Sequence, residues 1–148
     1  MFVIAHRGNR DGPNPERENS PAYIIEALNE GFDVEIDVRY NPVTNGWWLG
    51  HDMPQYHVDV SFLQNRRLWC HAKNLATLSN LQKIPGVHYF SHDKDDAVLT
   101  SNGIIWVQPG EEYDERCVCV MPELAPNWDL SRRKLGVCSD MVRSYLMQ

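Results

Sequence analysis

The sequence predicts an α/β protein built on a parallel sheet, and three observations carry that expectation. The first half alternates strand, helix and strand, the order that right-handed βαβ units require. In the second half the strand candidates follow one another too closely for full helices between them. Eight strand candidates can be counted, which suits a closed barrel, yet the chain has only 148 residues where such a barrel typically takes about 250. A barrel here would have lost most outer helices of its second half. The alternative is an open sheet or an irregular α+β layer.

Phe2–His6 is a short apolar run and reads as the first strand. Asn9–Asn19 is rich in Gly, Pro, Asn and charge, so it is a loop. Ser20-Pro21 opens a helix, serine suiting the N-cap and proline the first turn. Ile24, Ile25 and Leu28 supply its buried stripe and Gly31 ends it. In Asp33–Tyr40 the residues Val34, Ile36 and Val38 alternate with charged ones, the period of a strand. Asn41–Gly46 is a turn and Gly46–Gly50 a short extension or hairpin partner. Leu68–Lys73 is a strand. A helix follows from Leu75 to Lys83, with Leu75, Leu78 and Leu81 spaced for burial and Pro85-Gly86 as its stop. Val87–Ser91, Ala97–Thr100, Ile104–Gln108, Cys117–Met121 and Gly136–Ser139 complete the strand candidates. No repeat or domain boundary interrupts residues 1–148, so a single domain is expected.

Composition narrows the function. A net charge of -6 with no basic run argues against nucleic acid and against an anionic membrane surface. No stretch approaches transmembrane length, and MFVIAHRGNR lacks the features of an export signal. Cys70, Cys117, Cys119 and Cys138 form no CxxC pair and are expected to be reduced and mostly buried, in a cytoplasmic protein.

The titratable residues gather at strand ends. The first strand ends in His6-Arg7. The second carries Glu35 and Asp37 on one face, roughly 7 Å apart along the chain. The next carries His71 and Lys73, again two apart, and His51-Asp52 closes the hairpin. Parallel strands bring their C-terminal ends together, and ligands bind there. Each group alone has a plainer reading: a solvated edge for Glu35 and Asp37, a surface strand end for His6-Arg7, a hydrogen-bonded rim for His71, solvent for Lys73. Their co-occurrence is what points to a site. Carboxylates suit a hard divalent cation, Glu35 and Asp37 first and Glu18 as a further candidate. Arg and Lys suit phosphate. Two histidines suit the proton acceptor and donor that phosphodiester cleavage needs. No GxSxG elbow, P-loop or dinucleotide-binding glycine pattern occurs. Trp47-Trp48 could wall a pocket for sugar or glycerol carbons or simply pack. His57, His88 and His92 have no comparable company and receive no role, and Glu123 stays outside the set.

VIAHRG, REN at Arg17–Asn19, VEIDVR and GHD at Gly50–Asp52 resemble, in order and spacing, the glycerophosphodiester phosphodiesterase family. That family reads HRG, ENT, ExD and HD. WCHAKN at Trp69–Asn74 is similar to a later family strand reading ExK, and GVCSD at Gly136–Asp140 to its final strand. The resemblance implies a TIM-type (β/α)8 barrel, here abbreviated, and a metal-dependent hydrolase of glycerophosphodiesters or related headgroup or sugar phosphodiesters. It implies His6 and His51 as the acid–base pair, Arg7 and Lys73 on the phosphate, Glu35 and Asp37 as ligands of magnesium or calcium, and Glu18 as a further ligand or a group behind the ligands. His71 stands where the family carries a metal-binding glutamate. As a softer ligand it would shift preference toward manganese. The short chain leaves open a homodimer that covers exposed barrel sides. The other reading is a degenerate barrel that binds a phosphodiester or sugar phosphate without cleaving it. The expected partner is in either case a small-molecule phosphodiester, with no nucleic acid and no membrane span.

Overall fold

The computed structural model describes residues 1–147. The elements in chain order are β1 (Phe2–His6), α1 (Pro21–Asn29), β2 (Asp33–Asn41), β3 (Gly46–Leu49), β4 (Tyr56–Val58), α2 (Val60–Leu63), β5 (Leu68–Ala72), α3 (Leu75–Leu81), β6 (Tyr89–Phe90), β7 (Ala97–Leu99), β8 (Ile105–Val107), β9 (Cys117–Val120) and β10 (Gly136–Ser139). Short 3-10 turns cover Pro122–Leu124 and Val142–Met147.

The strands form one sheet in the order β6-β5-β2-β1-β10-β9-β8-β7. From β6 to β8 every neighbouring pair is parallel. β7 is antiparallel to β8, and the β3–β4 hairpin runs antiparallel off the far end of β2. The sheet curls into a half-barrel and carries three short helices, all before residue 82. This overturns the expected (β/α)8 barrel. No strand ladder joins β6 to β7 among the described residues; the nearest tie is Ser101 N donating to Tyr89 O at 2.8 Å.

The reason lies in the connections. A parallel crossover through a helix needs a dozen or more residues. The 108–116 segment is too short for one, and in 121–135 the prolines at 122 and 126 leave only a 3-10 turn. Aromatic loops cover the sheet there instead. Tyr113 packs with Val107, Cys117, Cys119 and Val137, and Trp128 leans on that cluster. The Tyr113 hydroxyl donates to Asp129 O at 2.8 Å and the Trp128 indole to Glu111 O at 2.8 Å, so each loop holds the other.

In the first half, helices do form. The Ser20 side chain accepts from Tyr23 N and caps α1; that of Asn74 accepts from Thr77 N and caps α3. Ile24, Ala27 and Leu81 pack on Val34, Ile36 and Val38, which point outward from β2. Ile25 and Leu75 are exposed, and Tyr23 and Thr77 take the buried places instead. No helix among the described residues is long and apolar enough to cross a membrane.

The concave face has a second core of Ile4, Trp69, Phe90, Trp106, Val118, Val120 and Cys138. Side chains two positions apart share a face. The residues two beyond Ile4, Trp69, Phe90, Trp106 and Cys138 are therefore carried to one rim: His6, His71, His92, Gln108 and Asp140.

Candidate functional site

That rim opens a cavity of about 350 Å³ lined by His6, Arg7, Glu35, Asp37, His51, His71 and Lys73 among others. Seven of the eight residues picked from the sequence thus share one space. The eighth, Glu18, lines an adjoining cavity of about 300 Å³.

The two carboxylates of β2 are buried, Glu35 at 2% and Asp37 at 1% exposure. Parallel pairing sets Glu35 opposite Trp69 and Asp37 opposite His71 on β5. His71 Nδ1 lies 3.4 Å from Asp37 Oδ1 and 3.8 Å from Glu35 Oε2. Its ring stacks on Phe90 at 5.0 Å, which fixes its plane. One ligand atom each from Glu35, Asp37 and His71 lies within 4.8 Å of the others, a spacing that suits a single cation.

The environments of the two acids differ. Burial alone would raise the Asp37 carboxyl; hydrogen bonds from His71 and Asn19 and the charge of Arg7 hold it well below the usual carboxylate range. Asn19 grips Asp37 twice, Nδ2 donating to Oδ2 at 2.9 Å and Oδ1 accepting from the backbone N at 3.0 Å. Glu35 has no such support. Burial and the Asp37 charge push its pKa up, and its buried Oε1 has no hydrogen-bond partner. A buried carboxylate oxygen left unpaired is costly. A divalent cation held by Glu35, Asp37 and His71 would remove that cost, so the donor set fits one.

Arg7 follows β1 in a left-handed conformation (φ 55°), which turns its side chain over the carboxylates. Its Nε is 3.0 Å from Asp37 Oδ2 and its Nη1 3.2 Å from Glu18 Oε1. Lys73 Nζ is 3.9 Å from Asp37 Oδ1. Of the two roles expected for Glu18, ligand or supporting group, its contacts match the second. Its Oε1 accepts from Arg7, and its Oε2 accepts from Asn9 Nδ2 and Asn14 N, so it orients the arginine and lies outside the ligand cluster.

His6 Nδ1 donates to Asp140 Oδ1 at 2.7 Å, leaving Nε2 on the Glu35 side at 3.9 Å from Oε1. Burial alone would lower the His6 imidazole; the Asp140 and Glu35 carboxylates outweigh it and raise its pKa. Asp140 also accepts from Asn9 Nδ2 at 2.8 Å, and its backbone N donates to Glu123 Oε1 at 2.8 Å. Asp140, Asn9 and Glu123 were absent from the sequence-derived set. His51 repeats the pattern on a looser footing: its Nδ1 is 2.7 Å from Asp52 Oδ1, and both side chains are exposed. The turn that delivers it is closely packed. A Cβ on Gly50 would stand 1.9 Å from Met53 O, so only glycine fits, and Arg39 donates to the carbonyls of Gly50 and His51.

Trp47 packs on Tyr40 in the outer core and Trp48 sits beside His57; neither lines the cavity. The aromatic wall comes from Phe90 and Trp106 instead. Comparison of the chain with protein-family models, with curated proteins and with solved structures finds no match.

Proposed function

We propose that this protein is a metal-dependent phosphodiesterase acting on a glycerophosphodiester or a related headgroup or sugar phosphodiester. The observation that carries the reading is Glu35: a buried carboxylate with an unpartnered oxygen, beside Asp37 and His71, in a cavity also lined by His6, His51, Arg7 and Lys73. The family resemblance read from HRG, REN, ExD and GHD supports the same reading. A cation bound by Glu35, Asp37 and His71 would act as a Lewis acid toward a phosphoryl oxygen. Arg7 and Lys73 supply positive charge for the remaining phosphoryl oxygens. His6, with Nδ1 committed to Asp140, presents Nε2 to the cavity, and His51 does the same with Asp52 behind it. One takes the proton of the attacking hydroxyl and the other returns one to the leaving oxygen. The four free, buried cysteines suit a reducing compartment, and we place the protein in the cytoplasm.

The test is hydrolysis of a panel of glycerophosphodiesters by the purified chain, with manganese, with magnesium and with chelator. We expect turnover that chelator abolishes and that His6→Ala and His51→Ala each lower by about two to four decades. Turnover indifferent to chelator, or unaffected by both substitutions, overturns the reading.

A further inference from the structure

We propose that Asn9 is a positioning residue that sets His6 and Arg7 as one unit, by holding the two carboxylates that stand behind them. The inference rests on the phosphodiesterase reading for the roles of His6 and Arg7, and adds what fixes the two relative to each other.

Asn9 closes the turn that leaves β1. Its backbone N donates to His6 O at 2.9 Å, and the two residues between, Arg7 and Gly8, both have positive φ, 55° and 90°. The turn lies against Tyr23, since a Cβ on Gly8 would stand 2.8 Å from that ring. Asn9 itself is buried, at 0% exposure.

Its side-chain amide has one acceptor and an NH2 with two protons to give. The Tyr23 hydroxyl donates to Asn9 Oδ1 at 3.1 Å. Asn9 Nδ2 donates to Asp140 Oδ1 at 2.8 Å and to Glu18 Oε2 at 3.1 Å. The opposite orientation would turn Oδ1 onto two carboxylates that accept and do not donate. Asp140 in turn accepts from His6 Nδ1, and Glu18 from Arg7 Nη1. His6, Asp140, Asn9, Glu18 and Arg7 therefore form one run of charge-assisted hydrogen bonds with a single amide at its centre. Serine at this place would offer one proton to two carboxylates. Aspartate would add a third negative charge, and leucine would leave both acids a donor short. A residue that only filled the turn would not need two donors aimed at two acids.

The experiment reads two proton signals by NMR in the metal-free chain, His6 Nδ1–H and Arg7 Nε–H, and then kcat and KM on a glycerophosphodiester with manganese. We expect both signals to be resolved in the unsubstituted chain. Asn9→Asp keeps the shape and the acceptor for Tyr23 but loses both donors, and should remove both signals. Asp140→Asn should remove the histidine signal alone and Glu18→Gln the arginine signal alone. Asn9→Asp should also lower kcat about tenfold or more and raise KM about tenfold, since it loosens a proton-transfer group and a phosphate-binding group together. Where the added carboxylate prevents folding, Asn9→Ala, which removes the donors without adding charge, is read in its place. An unsubstituted chain that shows neither signal, an Asn9 variant that moves only one or neither, or one with unchanged kinetics overturns the proposal. So does a loss of kcat with KM unchanged and both signals kept, the mark of a smaller folded fraction. Both signals lost in the Asn9 variant, in a chain that hydrolyses no diester, upholds the tie between His6 and Arg7 and overturns the phosphodiesterase reading instead.

Discussion

Asp140 reaches His6 across the β10–β1 seam and holds it at 2.7 Å through Nδ1. That bond decides the tautomer: a carboxylate accepts, so Nδ1 carries the proton and Nε2 is free to exchange one. Asparagine at 140 is nearly isosteric but can offer its NH2 to the ring and favour the opposite tautomer. Asp140→Asn should therefore lower kcat by about two decades with KM within about twofold, the pattern of a positioning residue. A downfield Nδ1 proton signal from His6 should be present in the parent chain and absent in the variant. A fall in KM-dependent binding alone, with kcat intact, would remove Asp140 from the mechanism. The residue was within reach of sequence reasoning. His6 and His71 each follow an inward apolar residue by two positions, and Asp140 follows Cys138 in the same way. The same rule marks Gln108 after Trp106 and His92 after Phe90. What the residues could not announce was the partner of each atom. Glu18 sits in a family-like motif and still spends both oxygens on Arg7, Asn9 and Asn14, because the 9–19 loop folds back on the strand end.

Strands were the legible elements. β1 and β10 have the bounds expected from the sequence, and β2 differs by one residue. The Tyr56–Val58 strand and the Val60–Leu63 helix were missed because both are too short to show a period. The element with the clearest titration is β6, which enters at His88. That imidazole is buried, packs 4.2 Å from the Trp69 ring and pairs with Thr100 Oγ1 at 2.8 Å, tying β6 to the end of β7. Burial lowers its pKa to about 4. The sign follows from linkage. Below about 6.5 the unfolded chain binds a proton that the folded chain refuses. The contribution is fully present above that pH and is lost as pH falls toward about 4. We expect the urea midpoint to drop across this window by the equivalent of about 2 kcal/mol. His88→Gln, which keeps a donor toward Thr100 and does not titrate, should flatten that part of the acid limb. An unchanged limb in the variant would show that His88 is protonated in the folded state.

At the scale of the whole molecule, the strand order around the arc is that of a parallel α/β protein, but no strand ladder joins its β6 and β7 edges among the described residues and its second half is covered by loops. Sequence periodicity counts staves; whether they close depends on connections, and prolines and short spans at 108–135 gave no helices to buttress a closed ring. A half-barrel has less surrounding structure to support an unfavourable group, and this one places two carboxylates side by side in the cavity at its rim. Without a cation, Glu35 is a net liability: buried, repelled by Asp37, and unpaired at Oε1. Glu35→Gln removes the repulsion and supplies a donor where only acceptors stood. The metal-free variant should therefore be more stable than the metal-free parent by about 1–3 kcal/mol, the cost of the unsatisfied group. Added manganese should reverse the ranking. A cation present at a hundred times its Kd stabilises by about 2.7 kcal/mol, which for a chain of this size is roughly 5–10 °C in Tm. The parent should gain that increment and Glu35→Gln should gain little, having lost one of the three candidate ligands. Magnesium at the same concentration should raise the parent's Tm by less than manganese if His71 serves as a ligand, since imidazole suits the softer ion. A Glu35→Gln chain that is less stable without metal, or that gains as much from manganese as the parent, would show that Glu35 is a structural carboxylate and not a ligand held in waiting.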